Sequence, residues 1–265
     1  MTFPHPSRRG GLPGGRAHSQ RPAFPAARLL GRVLLAGLLL GGSQAVRVSI
    51  TPVRLDIDPA RQLATTTVVT NLDSAPVEFS AELVRWTQQG GQDQTAPTRD
   101  GLVNPPRFVV QPGRSQVIRV GLRARPGQPQ VTYRLVLRQV GGAGPTAPGP
   151  AGGDGQSRVT VTPSYSFSLP LFVTQPGVRA QLSAALEQGP GGLTLRLSNG
   201  GTGAALLRDL SVGSGVKVAS ALYVLAGSAV RVPLPPGVTA GSRLSWHSTD
   251  EQGREQRESL DLRAP

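Results

Sequence analysis

Residues 157–173, SRVTVTPSYSFSLPLFV, set the tightest limit on what this chain can fold into. Val159, Val161, Tyr165, Phe167, Leu169 and Leu171 occupy alternate positions, with Ser or Thr between most of them. A period of two sends successive side chains to opposite faces of an extended strand, so these six share one apolar face. The run is long for a strand that serves only its own core. Directly before it stands GGAGPTAPGPAGGDGQ, residues 141–156, a segment with no means of packing. A long apolar edge strand behind such a lead is ordinarily an aggregation hazard, and a protein that keeps one is expected to pair it with another chain.

The rest of the chain follows the same grammar. Residues 46–57, VRVSITPVRLDI, give an opening strand with a break: Val48 and Ile50 share one face, and after Pro52 the apolar phase passes to Val53, Leu55 and Ile57. Proline confines a strand to an edge or a kink, and a phase flip there lets one strand serve two sheets. Further strands are predicted over 62–71, 77–86, 108–110, 116–122 and 131–140. Trp86 opens a polar segment rich in Gly and Gln that is expected to be a loop, with the indole as core cover in preference to a recognition aromatic. With the opening strand this makes about seven strands, which suits an immunoglobulin-like sandwich. After Pro176-Gly177 the pattern restarts, with short strands over 193–199, 205–212, 223–226, 229–234, 243–246 and 259–262. The expected division is a leader over 1–45, a first β domain over 46–175 and a smaller one over 176–265, joined at a fixed angle by a short linker.

The formal charge of +13 is weighted by the leader. Residues 1–45 hold six arginines and no acid, then the apolar run VLLAGLLL at 33–40, then small residues at Ser43 and Ala45. That order is an export signal cleaved after Ala45, too short in its apolar part to span a bilayer comfortably. A retained signal anchor is the alternative, and Arg8-Arg9 leaves the general and twin-arginine routes both open. Taking six from 28 leaves 22 basic residues against 15 acidic, a net of +7. No basic run is interleaved with aromatics, so nucleic acid is not an expected partner. The mature chain is expected outside the cytoplasm and not stably inserted in the membrane.

Catalytic chemistry is scarce. There is no cysteine, and of three histidines only His247 lies beyond the leader. That excludes the common metal clusters and the Ser-His and Cys-His nucleophile arrangements. Asp56 and Asp58, two apart on a strand, are weak grounds for a carboxylate pair. The glycine tract precedes a strand, whereas a phosphate cradle needs a following helix. The expectation is a non-enzyme without metal or cofactor.

Taken in order, SITPVRLDI at 49–57, TNLDSAP at 70–76, Arg85-Trp86, NPPRFVVQPGRSQVIRV at 104–120, TYRLVLRQV at 132–140 and SLPLFV at 168–173 resemble the PapD-like periplasmic chaperones of the chaperone–usher pathway. The set covers the first domain almost completely; 195–212 and 245–253 match more loosely. The resemblance implies two immunoglobulin-like domains set as a boomerang, no catalysis, and a periplasmic role in pilus assembly. It implies that the last strand of the first domain lends alternate apolar side chains to an incomplete pilin-like or coat-protein subunit until an outer-membrane usher takes it. Such donor-strand complementation is a form of β-augmentation. Val159, Val161, Tyr165 and Phe167 fall at the donor positions. Periodicity alone makes Arg54 a solvated strand arginine; the resemblance makes it the anchor of the subunit's C-terminal carboxylate. Pro76 and Arg119 fall where the family faces its usher.

Three departures stand out. The family's second anchor, a lysine, is replaced by Pro170, leaving Arg54 alone or aided by Arg134 or Arg138. Pro163 removes a backbone donor from the donor segment. Gln130 stands where an acid would make an interdomain ion pair. These point to a divergent branch serving a non-pilus coat or fibre. The competing reading is an exported structural or adhesive protein that polymerises through its own edge strand.

Overall fold

The opening strand breaks at Pro52 and its two pieces enter different sheets. The computed structural model, which describes residues 47–140, 164–189, 192–239, 241–249 and 255–262, pairs β1 (Val48–Thr51) with β3 (Ala64–Asn71) and β2 (Leu55–Ile57) with β10 (Ser166–Thr174). The Thr67 hydroxyl donates to the Pro52 carbonyl at 2.9 Å and ties the crossing point to β3. Val53, expected to share the inner face with Leu55 and Ile57, is instead 66% exposed. It belongs to the crossing, and the strand resumes only at Leu55.

Beside β3 lie β8 (Ser115–Leu122) and β6 (Gly101–Asn104), completing a sheet in the order β1-β3-β8-β6. The facing sheet adds β9 (Gln130–Gln139), β4 (Val77–Gln89) and β5 (Gln92–Pro97) in the order β2-β10-β9-β4-β5, with β7 (Arg107–Val110) on the start of β4. Alternate residues build the core between them. Val77, Phe79, Ala81 and Leu83 from β4 and Val131, Tyr133, Leu135 and Leu137 from β9 meet Val69, Ile118 and Val120 across the gap. Each large side chain so buried is worth about 1.5–3 kcal/mol against exposure, which fixes the register wherever one face is apolar.

The segment after Trp86 is a hairpin and not the expected loop. Strand β4 runs on to Gln89, turns at Gly90-Gly91 with φ of 59° and 85°, and returns as β5. Positive φ at both turn residues matches the twist of the flanking strands, and glycine reaches it without steric cost. All six residues of β5 are exposed, so no apolar alternation announced it.

The second half repeats the architecture. Strands β11 (Leu182–Gly189), β12 (Gly192–Asn199) and β15 (Ala229–Pro233) form one sheet in the order β11-β12-β15. Strands β13 (Ala205–Val212), β14 (Val216–Val224), β16 (Arg243–Thr249) and β17 (Glu255–Asp261) form the other, in the order β14-β13-β16-β17. Leu186, Leu195, Leu197, Leu207, Leu210, Leu244 and Trp246 fill the space between them. The chain is thus all-β, two sandwiches each with its own core, and no helix occurs among the described residues.

Candidate functional site

Strand β10 leaves its own core as it runs toward its N-terminus. Val173, Leu171 and Leu169 are buried in the first core, while Phe167 and Tyr165, on the same face, are only half-buried. Phe167 still touches the Phe79 ring, 6.2 Å between centroids. The backbone shows the same gradient. Gln139 N–H donates to the Tyr165 carbonyl at 2.8 Å and Gln175 N–H to Pro129 at 2.9 Å, so odd-numbered residues of β10 bond to β9. Even-numbered residues therefore point the other way, where β2 pairs only with Leu171–Val173. Among the described residues no strand pairs with the Ser166 and Ser168 backbone groups on that side. Val159, Val161 and Pro163 lie outside the described residues, as does the leader.

Arg54 sits just before β2. Its guanidinium lies 4.7 Å from the centre of the Phe172 ring and forms a fork with Asp56: Nε to Oδ2 at 3.0 Å, Nη2 to Oδ1 at 3.0 Å. The count of two that groups Asp56 with Asp58 also puts Arg54 and Asp56 on one face. Asp58 does separate work: its carboxylate accepts from Ala60 N–H at 2.9 Å and pairs with Arg61 at 3.3 Å. One fork of Arg54 is thus filled from within the chain, and the Nη1 side remains for another acceptor. The arginine opens onto a cleft of about 720 Å³ whose other walls include Arg179, Ala204, Trp246, Ser248 and Glu258.

Next to Arg54 and Ala204 of this cleft is an apolar joint between the sandwiches. Trp86, Phe172 and Leu225 are buried together with Tyr223 against them, and the Trp86 and Tyr223 rings meet edge-on at 5.3 Å. Trp86 is covered, as expected, but outside the first core: Phe172 and Arg134 of the first sandwich and Tyr223 and Leu225 of the second lie against it. Two glutamines link the sandwiches beside it. Gln88 Nε2 donates to the Tyr223 carbonyl at 2.9 Å, and Gln88 Oε1 accepts from Leu225 N–H at 2.8 Å. Gln130 Oε1 accepts from Ala204 N–H at 2.7 Å, and its Nε2 donates to Thr174 Oγ1 at 2.8 Å. The ion pair missing at Gln130 is therefore replaced by an uncharged link across the joint.

Pro170 lies opposite Arg134 on β9. Arg134 stacks on Trp86 at 3.8 Å and pairs with Asp93 at 2.9 Å, while Arg138 pairs with Glu82. Both possible substitutes for the missing lysine thus hold acids of their own. Pro76 is exposed at the turn before β4, and Arg119 is exposed on β8. Arg119 stands four residues beyond Ser115, which pairs with Thr70 near that turn, a distance of roughly 13 Å along the strand. His247 lies on β16 opposite Arg208 and Arg257. Among the described residues no cluster of three or more His, Asp or Glu side chains could hold a metal ion.

Residues 47–179 match the sequence profile of the pili and flagellar-assembly chaperone, PapD N-terminal domain. No curated protein sequence matches the chain. Many solved structures share its fold. One is the CsuC–CsuE chaperone–tip adhesion subunit pre-assembly complex from the archaic chaperone–usher Csu pili of Acinetobacter baumannii, at 18% identity and TM-score 0.64 over 83% of this chain and 99% of that one. Another is the complex of the Salmonella enterica SafA pilin with the SafB chaperone, at 14% identity and TM-score 0.60 over 83% and 99%. The Escherichia coli chaperone DraB matches at 18% and 0.57 over 82% and 97%. At these identities the likeness is one of fold, and both sandwiches take part in it.

Proposed function

Because the chain belongs to the PapD family of pili and flagellar-assembly chaperones, we propose that it caps pilin-like subunits in the periplasm by lending them β10 and the segment before it. The family is one of chaperones and not an enzyme class. The observation that carries the reading is the gradient along β10: one apolar face passes from its own core at Leu171 to half-exposure at Phe167 and Tyr165, while among the described residues no strand pairs with the backbone edge beside it. An incomplete sandwich needs both things, apolar side chains at every second position and a free row of N–H and C=O groups. Val159 and Val161 continue the same alternation into the subunit.

On this reading Arg54 holds the subunit's C-terminal carboxylate in the cleft, with Arg134 and Arg138 committed elsewhere. Asp56 occupies the fork that the carboxylate would best use, so it competes with the subunit. Pro76 and Arg119 then face the usher that receives the subunit. Support for these roles comes from exposure and family position.

The test is co-expression with a pilin-like subunit and size-exclusion chromatography of the product. A 1:1 complex is expected, weakened at least tenfold by Arg54→Ala and strengthened several-fold by Asp56→Asn. A complex indifferent to Arg54→Ala moves the anchor elsewhere. No complex, with the chain forming polymers of itself, favours the structural or adhesive alternative.

A further inference from the structure

On the first sandwich four arginines line one groove of about 350 Å³: Arg85, Arg99, Arg123 and Arg125. Among the described residues its only acid is Asp100, and Asp100 is already engaged. It accepts from the Tyr133 hydroxyl at 2.9 Å and pairs with Arg85 at 3.4 Å, and Arg85 also lies over the Tyr133 ring. Arg99 and Arg123 are exposed and have no ion-pair partner among the described residues. Four guanidiniums against one carboxylate leave three positive charges in a small space, an arrangement that repels itself until an anion enters.

The groove is built in advance. Arg123 N–H donates to the Asp100 carbonyl at 2.8 Å, joining its two walls. Gln175 Nε2 holds the opposite loop by donating to the carbonyls of Pro126 at 3.2 Å and Gln128 at 3.0 Å. Arg125 donates to the Ala60 carbonyl at 3.3 Å. Gly101 lets the turn seat itself: a Cβ there would lie 2.6 Å from the Gly121 carbonyl oxygen and 2.8 Å from Leu83. Burial pushes the Tyr133 hydroxyl up to about 12, and its hydrogen bond holds Asp100 below the usual carboxylate range, so neither changes charge near neutrality.

We infer that this groove, between the turn at 98–100 and the loop at 123–129, binds a phosphate-bearing anion. Planar guanidinium forks match phosphate oxygens two at a time, and several forks arriving from two walls favour a multivalent, tetrahedral anion over a single carboxylate. The phosphate can belong to a soluble diphosphate or to an anionic lipid headgroup; the recognition chemistry is the same.

The test titrates the purified protein with inorganic pyrophosphate at low ionic strength in a calorimeter. Saturable 1:1 binding is expected, weakened at least tenfold by Arg99→Ser combined with Arg123→Ser. A control pair, Arg47→Ser with Arg114→Ser, removes the same charge from exposed positions elsewhere and is expected to stay within twofold of the parent. The same three proteins are floated with phosphatidylglycerol and phosphatidylcholine vesicles. Loss of phosphatidylglycerol binding in the Arg99/Arg123 variant alone identifies a lipid phosphate; pyrophosphate binding without vesicle binding identifies a soluble one. No binding of either probe that depends on Arg99 and Arg123, or equal losses in the two variants, overturns the inference. Thermal unfolding of each variant separates a lost site from a lost fold.

Discussion

Asn71 and Asn199 each end a strand, one in each sandwich, and hold closely matching partners. Each is buried, 0% and 2% exposed. The Asn71 amide donates to the carbonyls of Ala75 and Val110 at 2.7 and 3.0 Å; Asn199 donates to Gly203 and Val224 at 2.7 and 2.9 Å. Asp73 N–H returns to the first at 2.9 Å and Gly201 N–H to the second at 3.0 Å. The backbone carbonyl of each accepts from a glycine at φ 66° or 67°, Gly113 and Gly227. What differs is the surroundings. The first corner carries the exposed turn that ends at Pro76, whereas the second grips the incoming chain: Thr202 and Gly203 N–H donate to the Arg179 carbonyl, and Asn199 Oδ1 accepts from Gln181 N–H. One device thus finishes a sandwich in one place and seats a linker in the other.

Removing the shared device should have the largest effect. Asn71→Ala and Asn199→Ala each leave buried carbonyls and N–H groups unmet and should each cost about 3 kcal/mol of stability. Chemical denaturation checks this, and a small loss at one corner would mean that water replaces the amide there. The next substitution separates the corners. A Cβ on Gly201 would meet the Arg179 carbonyl oxygen at 2.3 Å, so Gly201→Ala should cost about 2–3 kcal/mol. Asp73→Ala, at the matching position of the open corner, should stay within about 1 kcal/mol. Comparable losses would show that the linker yields.

A third change acts where the sandwiches meet. Gln130→Ala strips the acceptor from Ala204 N–H and should cost about 1–2 kcal/mol. Residual dipolar couplings should then report a wider spread of inter-sandwich orientation with each sandwich unaltered. The smallest expected effect is one of pH. Asp100 is held below its ordinary 3.8, chiefly by the Tyr133 hydrogen bond, so its contribution is present above that value and lost as acidification passes the lower folded one. Tyr133 is raised from 10.0 to about 12, chiefly by burial, so its contribution is present below pH 10 and lost between there and 12. Because Asp100 is half exposed, hydrogen exchange should show losses within about 1 kcal/mol, confined to the first sandwich.

The sheets were legible where one face is apolar and the other is not, as in β4, β9 and β10. The change of sheet at Pro52 was legible for the same reason, since a flip of phase in one strand has few other meanings. Strand β5 was not, because QDQTAP buries nothing and pairs through its backbone alone. Only Gly90-Gly91 signalled it. Arg54 could be named from family position, but not its fork with Asp56, which needed the count of two applied to charges as well as to apolar residues. Gln130 read as a loss because an amide in place of an acid forfeits an ion pair; its hydrogen bond to Ala204 depends on a residue 74 positions away. The open edge of β10 depends on where β2 stops, a matter of topology and not of periodicity.

The joint between the sandwiches mixes contacts that respond to salt with contacts that do not. At its centre are rings and two glutamines, and the guanidiniums of Arg134 and Arg54, each paired with an acid, lie against the Trp86 and Phe172 rings. Ions in the medium screen attraction between charges, but amide–backbone hydrogen bonds and buried aromatic area carry no net charge to screen. Added salt should therefore weaken the two ion pairs while the aromatic and amide contacts of the joint stay in place.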